Sequence, residues 1–214
     1  RSEVIAPDAV QAELLVPDAT DYDKTPPEIS PLRLRFEGPV APIDLVGKAP
    51  RGVALSPQHP GQWLWSDDKT LVFTPAKDWP IGTGFEVEID AEVAVADGVK
   101  LAEDTFEFAT PSFEGKVVNS EFHQDPQDPK LKKGVFELSF SHPVDGASLE
   151  QHVAFRYSDG GGRTLPSPGK TLTFDDKRLK AWVHSAPLDL PENGGKLVLE
   201  VDDGVRSTLG GDGT

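Results

Sequence analysis

Five histidines, His59, His123, His142, His152 and His184, are the side chains of this sequence best placed to exchange protons or bind a metal near neutral pH. None lies in an H-E-x-x-H or H-x-x-x-H array, the spacings that put two imidazoles on one helical face around zinc. His142 and His152 are ten positions apart, which fits no usual metal spacing, so the set reads as loop or solvated histidines. Asp18, Asp21 and Asp23 gather three carboxylates in one loop, a chemistry that suits a hard cation such as calcium. No EF-hand pattern follows them, and a solvated acidic loop is the better reading. Asp175-Asp176-Lys177 and Asp202-Asp203-Gly204 read as turns. Serine chemistry lacks a G-x-S-x-G element. Gly160-Gly161-Gly162-Arg163 lacks the Lys-Ser/Thr ending and following helix of a phosphate-binding loop. The sequence has no cysteine, which removes thiolate catalysis, disulfides and cysteine-type zinc sites together. No catalytic, cofactor-binding or metal-binding residue is therefore assigned, no cofactor is expected, and the chain is expected not to be an enzyme.

The formal charge of -15 is spread along all 214 residues with no basic block. A nucleic acid or an anionic membrane surface would need a cationic face, so neither is an expected partner. No apolar run approaches the roughly 20 residues that cross a bilayer as a helix, so direct membrane insertion of this segment is not expected. Hydrophobic residues at 37% suffice for a core, while 20 glycines and 20 prolines punctuate the chain too often for long helices. Methionine is absent and the chain opens Arg1-Ser2-Glu3, which is expected of a piece of a longer polypeptide.

An internal repeat sets the organisation. Leu32-Arg33-Leu34-Arg35-Phe36 followed by Pro39-Val40 matches Phe136-Glu137-Leu138-Ser139-Phe140 followed by Pro143-Val144, at an offset of 104. Asp67-Asp68-Lys69-Thr70-Leu71 matches Asp175-Asp176-Lys177-Arg178-Leu179 at 108. Phe85-Glu86-Val87-Glu88-Ile89-Asp90 matches Leu197-Val198-Leu199-Glu200-Val201-Asp202 at 112. Order is kept while the offset drifts by loop insertions, giving a unit of immunoglobulin-domain size. The expected domains are 1–111 and 112–214. The Asp104–Thr110 stretch, the first unit's last strand, has its counterpart at about 216–222, past residue 214, so the second domain is expected to be cut one strand short or completed by another segment, and to run irregularly from about Val205.

Period-two alternation dominates. Leu32, Leu34 and Phe36 alternate with Arg33 and Arg35, and Phe85, Val87 and Ile89 alternate with Glu86, Glu88 and Asp90. Such patterns make half-buried antiparallel strands. Leu71 with Phe73, Phe106 with Phe108, Leu172 with Phe174, the run Leu179, Ala181 and Val183, and the run Leu197, Leu199 and Val201 follow the same rule. Opening strands are expected at 10–16 and 116–122, and single helical turns at 43–48 and 146–152. The fold class is all-β: two tandem immunoglobulin-like antiparallel β-sandwiches. Trp63 and Trp65 share one strand face and are expected to fill the core or pack between modules, the competing reading being an exposed platform for sugar or peptide. Trp79 is expected to seal a sandwich end. Trp182, out of phase with its neighbours, is expected at the surface or against another module.

Gly61-Gln62-Trp63-Leu64-Trp65, Leu71-Val72-Phe73-Thr74-Pro75 and Trp79-Pro80-Ile81-Gly82-Thr83-Gly84-Phe85-Glu86-Val87, with the strand-then-Pro-Val openings at Phe36 and Phe140, resemble the N-terminal macroglobulin-type modules of bacterial alpha-2-macroglobulins. They also resemble the wider group of bacterial Ig-like modules. In the second repeat Leu190 stands where the first has Trp79, and the Gly-x-Trp-x-Trp element is missing. The resemblance implies a non-catalytic scaffold segment of a broad-spectrum protease trap, an exported periplasmic protein whose parent is often anchored to the inner membrane. Its implied partners are other modules of the parent chain, target proteases and envelope proteins. Many members carry a Cys-Gly-x-Gln-type thioester; with no cysteine here, none of that chemistry is transferred. The alternative reading is a bacterial cell-surface adhesion or carbohydrate-binding Ig-like module, which requires tryptophans exposed in a row.

Overall fold

The structure, a computed structural model, describes residues 9–211 and 213. The chain divides into two compact units, Arg1–Pro111 and Ser112–Thr214. In the first, β1 (Ala12–Leu15), β2 (Leu32–Phe36), β4 (Gly61–Trp65) and β5 (Thr70–Pro75) form an antiparallel sheet of order β1-β2-β5-β4. A second sheet, of order β3-β6-β7, contains β3 (Val53–Ser56), β6 (Gly84–Ile89) and β7 (Thr105–Ala109). Alternation works as the sequence demands. Leu32, Leu34 and Phe36 are buried while Arg33 and Arg35 are exposed, and Phe85, Val87 and Ile89 are buried. These side chains meet Trp65, Leu71, Phe73, Phe106 and Phe108 in one core between the sheets. The expected turn at 43–48 is a 3-10 turn over Ile43–Leu45. A short helix not expected from sequence, α1 (Ala91–Ala94), starts where the Asp90 carboxylate accepts the Glu92 N–H.

The second unit repeats the plan. Its four-stranded sheet, of order β12-β13-β9-β8, holds β8 (Gly115–Gln124), β9 (Lys132–Phe140), β12 (Lys170–Phe174) and β13 (Lys180–Ser185). The other sheet, β11-β10-β14, holds β10 (Val153–Asp159), β11 (Thr164–Leu165) and β14 (Gly195–Val201). α2 (Gly146–His152) occupies the predicted turn, capped by the Asp145 carboxylate, which accepts the Ala147 and Ser148 N–H groups. Leu138, Val144, Leu149, Val153, Phe155, Tyr157, Ala181 and Val183 are buried here. β10 went unread in the sequence although Val153, Phe155 and Tyr157 alternate and point inward. The helical turn that abuts it hid the change of period.

Equivalent strands have equivalent neighbours: β8-β9-β13-β12 repeats β1-β2-β5-β4, and β10-β14 repeats β3-β6. In the first unit β7 flanks β6; in the second, β14 pairs with β10 alone, and no strand follows it among the described residues. The tail after β14 is irregular yet anchored. Val205 is buried, Ser207 bridges Val144, and the Asp145 N–H donates to the Arg206 carbonyl.

Candidate functional site

The five histidines occupy separate surroundings. In the first unit, His59 stacks on Trp79 at 4.7 Å between ring centroids, its Nε2 lying 3.0 Å from the Lys77 carbonyl oxygen. In the second, His123 lies on exposed β8. His142 is buried, with Nδ1 2.8 Å from the Ser141 hydroxyl. That hydroxyl accepts the Glu114 N–H at 2.8 Å, so the pair pins residue 114 to the end of β9. His152 Nδ1 lies 2.7 Å from the Ser148 carbonyl one helical turn back, and His184 Nε2 lies 3.0 Å from Thr173 Oγ1 across the β12–β13 pair. Among the described residues no three of histidine, aspartate and glutamate come together as a metal-holding group.

The acidic loop of the first unit closes on itself. Asp21 and Glu28 exchange backbone hydrogen bonds, Asp21 Oδ1 accepts the Asp23 N–H, and Lys24 pairs with Asp21 and Glu28. The Tyr22 hydroxyl and Thr20 Oγ1 both donate to Asp78. Burial, reinforced by the Asp78 carboxylate, holds the Tyr22 phenol well above its ordinary range. This Thr20–Tyr22–Asp78 cluster fastens the long β1–β2 loop to the turn before β6. No local pattern disclosed it, because Asp78 lies more than 50 positions from Thr20 and Tyr22.

The glycine loop of the second unit is organised by Asp159, a role the sequence reading missed although Arg163 follows it at four positions. Asp159 Oδ1 accepts the N–H groups of Gly161 and Arg163, and Oδ2 accepts Arg163 Nε at 3.2 Å. A Cβ on Gly160 would fall 1.9 Å from the Asn193 carbonyl oxygen, so only glycine fits there. The Arg163 N–H above all, with the Gly161 N–H and the guanidinium adding to it, holds the Asp159 carboxyl below the usual range. Since the folded value lies below the unfolded one, the stabilisation is complete above about pH 4 and is lost as pH falls through the lowered value. Asp159→Asn is expected to lower the urea midpoint of the second unit at pH 7, with the gap to wild type closing as pH falls through the lowered value of Asp159. A gap that persists unchanged into acid would contradict this.

On the outer face of the first unit's smaller sheet, Glu86 lies directly opposite Glu107, with Glu88 two residues along its own strand. Burial first, then the Glu88 hydrogen bond and the Glu88 and Glu107 charges, raise the Glu86 carboxyl above its ordinary value. The sign is opposite to that of Asp159: ionised Glu86 opposes folding, and the first unit gains stability as pH falls through the raised value. Glu107→Lys replaces a like-charge cross-strand pair with an opposite one. It is expected to raise the first unit's thermal midpoint at pH 7 by a few degrees in low salt, and by less in 1 M salt.

The tryptophans decide between core and platform. Trp65 is fully buried against Phe36, with 5.9 Å between ring centroids; Trp63 packs on Phe73 at 5.1 Å and lies against the same core. Trp79 is buried, donates its indole N–H to the Ser30 carbonyl at 2.8 Å and meets Phe85 and Phe108 edge-on, closing the sandwich end. Trp182 is half-buried on β13. The first unit's three tryptophans thus build its core and form no exposed row. An open groove of about 610 Å³ in the second unit, beside α2, is bordered by Asp145, Lys170 and Arg178. These three charged groups are already engaged: Asp145 caps the helix, Lys170 donates to the Glu150 and Val153 carbonyls, and Arg178 lies over Phe174.

Two successive immunoglobulin-like sandwiches, each with aromatic and aliphatic cores and with loops fastened by carboxylates, define a modular β-protein. No family model matches the chain. It is 34% identical over 194 residues to an alpha-2-macroglobulin homolog of Yersinia pestis, covering 90% of this chain and 10% of that protein. It is 33% identical over 211 residues to an alpha-2-macroglobulin of Pasteurella multocida, covering 94% and 11%. The chain belongs to the bacterial alpha-2-macroglobulin family, and it spans about a tenth of the length of these curated relatives. Among solved structures, an LD transpeptidase in complex with imipenem covers 83% of this chain and 68% of its own at 16% identity, with a TM-score of 0.27. That likeness is too slight to bear on fold or function.

Proposed function

We propose that this segment is a non-catalytic scaffold of a longer, exported alpha-2-macroglobulin-type protein that entraps proteases. The supporting observation is the match of nine-tenths of the chain to two bacterial alpha-2-macroglobulins at about one-third identity. The physical fit is that the first module's tryptophans all pack into its own core, so that module behaves as a folded strut and not as an aromatic binding platform. Its partners are then the remaining modules of the parent chain, proteases captured by the whole protein, and envelope proteins. The compartment is the periplasm, with the parent anchored to the inner membrane. The test uses the full-length protein incubated with an excess-free endoprotease, followed by assay on a small chromogenic peptide and on a large protein substrate. Entrapment leaves peptide cleavage largely intact and suppresses cleavage of the large substrate. Equal activity on both substrates, before and after incubation, sinks the proposal. Fractionation of cells producing the full-length protein checks the compartment, and recovery in the cytosol contradicts it.

A further inference from the structure

We propose that Asn193 is a site of spontaneous deamidation, and that its conversion to isoaspartate loosens the second unit by placing a new carboxylate beside Asp159. Neither step depends on protease entrapment. The sequence holds two asparagines, Asn119 followed by Ser120 and Asn193 followed by Gly194. A glycine after asparagine offers no Cβ to block the asparagine side chain from the next peptide nitrogen, and it leaves the backbone freest to turn toward it. Glu192, Asn193 and Gly194 are all exposed, in the turn that leads into β14. The Asn193 side-chain amide makes no hydrogen bond among the described residues. No atom beyond its chain neighbours lies within 4 Å of where a Cβ on Gly194 would stand, so that side of the peptide is open to water. One contact restrains the nitrogen: the Gly194 N–H donates to the Pro191 carbonyl at 3.0 Å. That bond closes a single exposed turn, the kind of structure that opens at little cost. Asn119 lacks these features. It lies within β8 opposite Glu137, and its Nδ2 donates to Glu121 Oε1 at 3.0 Å.

Water is the one co-reactant. The deprotonated Gly194 nitrogen attacks Cγ of Asn193. The N–Cγ bond forms, the Cγ–Nδ2 bond breaks, and the amide leaves as ammonia with the proton that the Gly194 nitrogen gave up. Water then adds to either carbonyl of the resulting succinimide. Opening at the Cγ–N bond gives aspartate. Opening at the backbone carbonyl–N bond gives isoaspartate, in which the chain runs through the former side chain and is one methylene longer. Either product exchanges a neutral amide for a carboxylate.

Asn193 stands where such a change is felt. A Cβ on Gly161 would lie 3.4 Å from Asp159 Oδ1 and 3.8 Å from Asn193 Nδ2, so the carboxylate and the amide converge on one point. The Gly160 N–H donates to the Gly194 carbonyl at 2.9 Å, and Asp159 lies opposite Gly195 at the end of the β10–β14 ladder. A longer backbone at position 193 displaces the carbonyl that Gly160 uses. A second carboxylate beside Asp159 disfavours the ionised form, which accepts the Gly161 and Arg163 N–H groups. Both effects work against the clasp between residues 159–163 and the 191–194 turn.

Peptide mapping by mass spectrometry tests the site on the full-length protein aged in mildly alkaline heavy-oxygen water. Conversion at Asn193 is expected to run at least about tenfold faster than at Asn119. The new carboxyl should carry heavy oxygen, and enzymatic methylation should detect isoaspartate in the same peptide. Amides of Ser158, Asp159, Gly195 and Lys196 are expected to exchange hydrogen several-fold faster in the aged protein than in the fresh one. The Asn193→Gln variant, whose longer side chain does not close the succinimide, is expected to age without that change. In an Asp159→Ala background, conversion at Asn193 is expected to add little further exchange, because the charge it would repel is gone. An Asn193 that stays intact while an unfolded peptide of the same sequence converts overturns the proposal, since the folded turn then protects it. Equal conversion of Asn119 overturns it too, because the turn then selects nothing. Conversion without faster exchange, or an equal acceleration in the Asp159→Ala background, overturns the coupling to Asp159.

Discussion

Trp65→Ala lowers the stability of the first module by about 3–5 kcal/mol, the range for removing a large aromatic from a packed core. Trp65 is fully buried on β4, which is an edge strand of its sheet, and its ring reaches past β5 to meet Phe36 at the end of β2. The cavity left by its deletion is walled by β-strands that cannot collapse without breaking ladder hydrogen bonds, so relaxation recovers little. Its indole N–H is buried without a hydrogen-bond partner among the described residues. Trp65→Phe therefore sheds an unsatisfied donor while keeping much of the aromatic volume, and its loss is expected to be less than half that of Trp65→Ala. Thermal or urea unfolding followed by tryptophan fluorescence measures both. A loss from Trp65→Ala below about 1 kcal/mol, as at surface positions, would show that the ring is not part of the core.

Val183→Asp is expected to unfold the second module. Val183 is fully buried on β13, opposite Leu172 on one side and Phe136 on the other, and shares its sheet face with the buried Ala181. A carboxylate there has to be desolvated, or protonated well above its usual range; either costs several kcal/mol against a net domain stability of roughly 5–15 kcal/mol. Limited proteolysis of the variant is expected to digest residues after about 112 and to spare a fragment ending near 111, because the chain divides between Pro111 and Ser112. Val183→Ala, which leaves a cavity without a charge, is expected to retain the module at reduced stability. Survival of the whole aspartate variant at wild-type protease doses would contradict the burial of this position.

Much of this architecture was legible because a strand writes its facing into every second residue. Leu32-Arg33-Leu34-Arg35-Phe36 states both its conformation and its buried side, and the structure buries the three apolar residues and exposes the two arginines. The duplicated Pro-Val pairs and Asp-Asp-Lys turns set the repeat, and the 146–152 run after the second Pro-Val pair announced α2, whereas its Asp145 cap went unread. Reading failed where a signal is short or crowded. The four-residue β3 offers only two alternations, and β10 follows α2 without a separating turn, so one period runs into the next.

The candidate site shows the same division. Sequence spacing offered no array of histidines; in the structure His59, His142, His152 and His184 each lie beside a different hydrogen-bonding partner, and His123 lies on exposed β8. Spacing did not reveal that Asp78 gathers Thr20 and Tyr22, that Asp159 organises residues 160–163, or that Glu86 and Glu107 face one another. By itself the sequence determined the all-β class, the duplicated unit and the inward faces of most strands, since those follow from local periodicity and repetition. Only the tertiary structure decided between core and platform for Trp63 and Trp65, gathered Thr20 and Tyr22 on Asp78, and set Glu86 opposite Glu107. Those outcomes depend on which distant strands become neighbours, and strand neighbours are chosen by the joint burial of whole faces, which no single stretch of residues encodes.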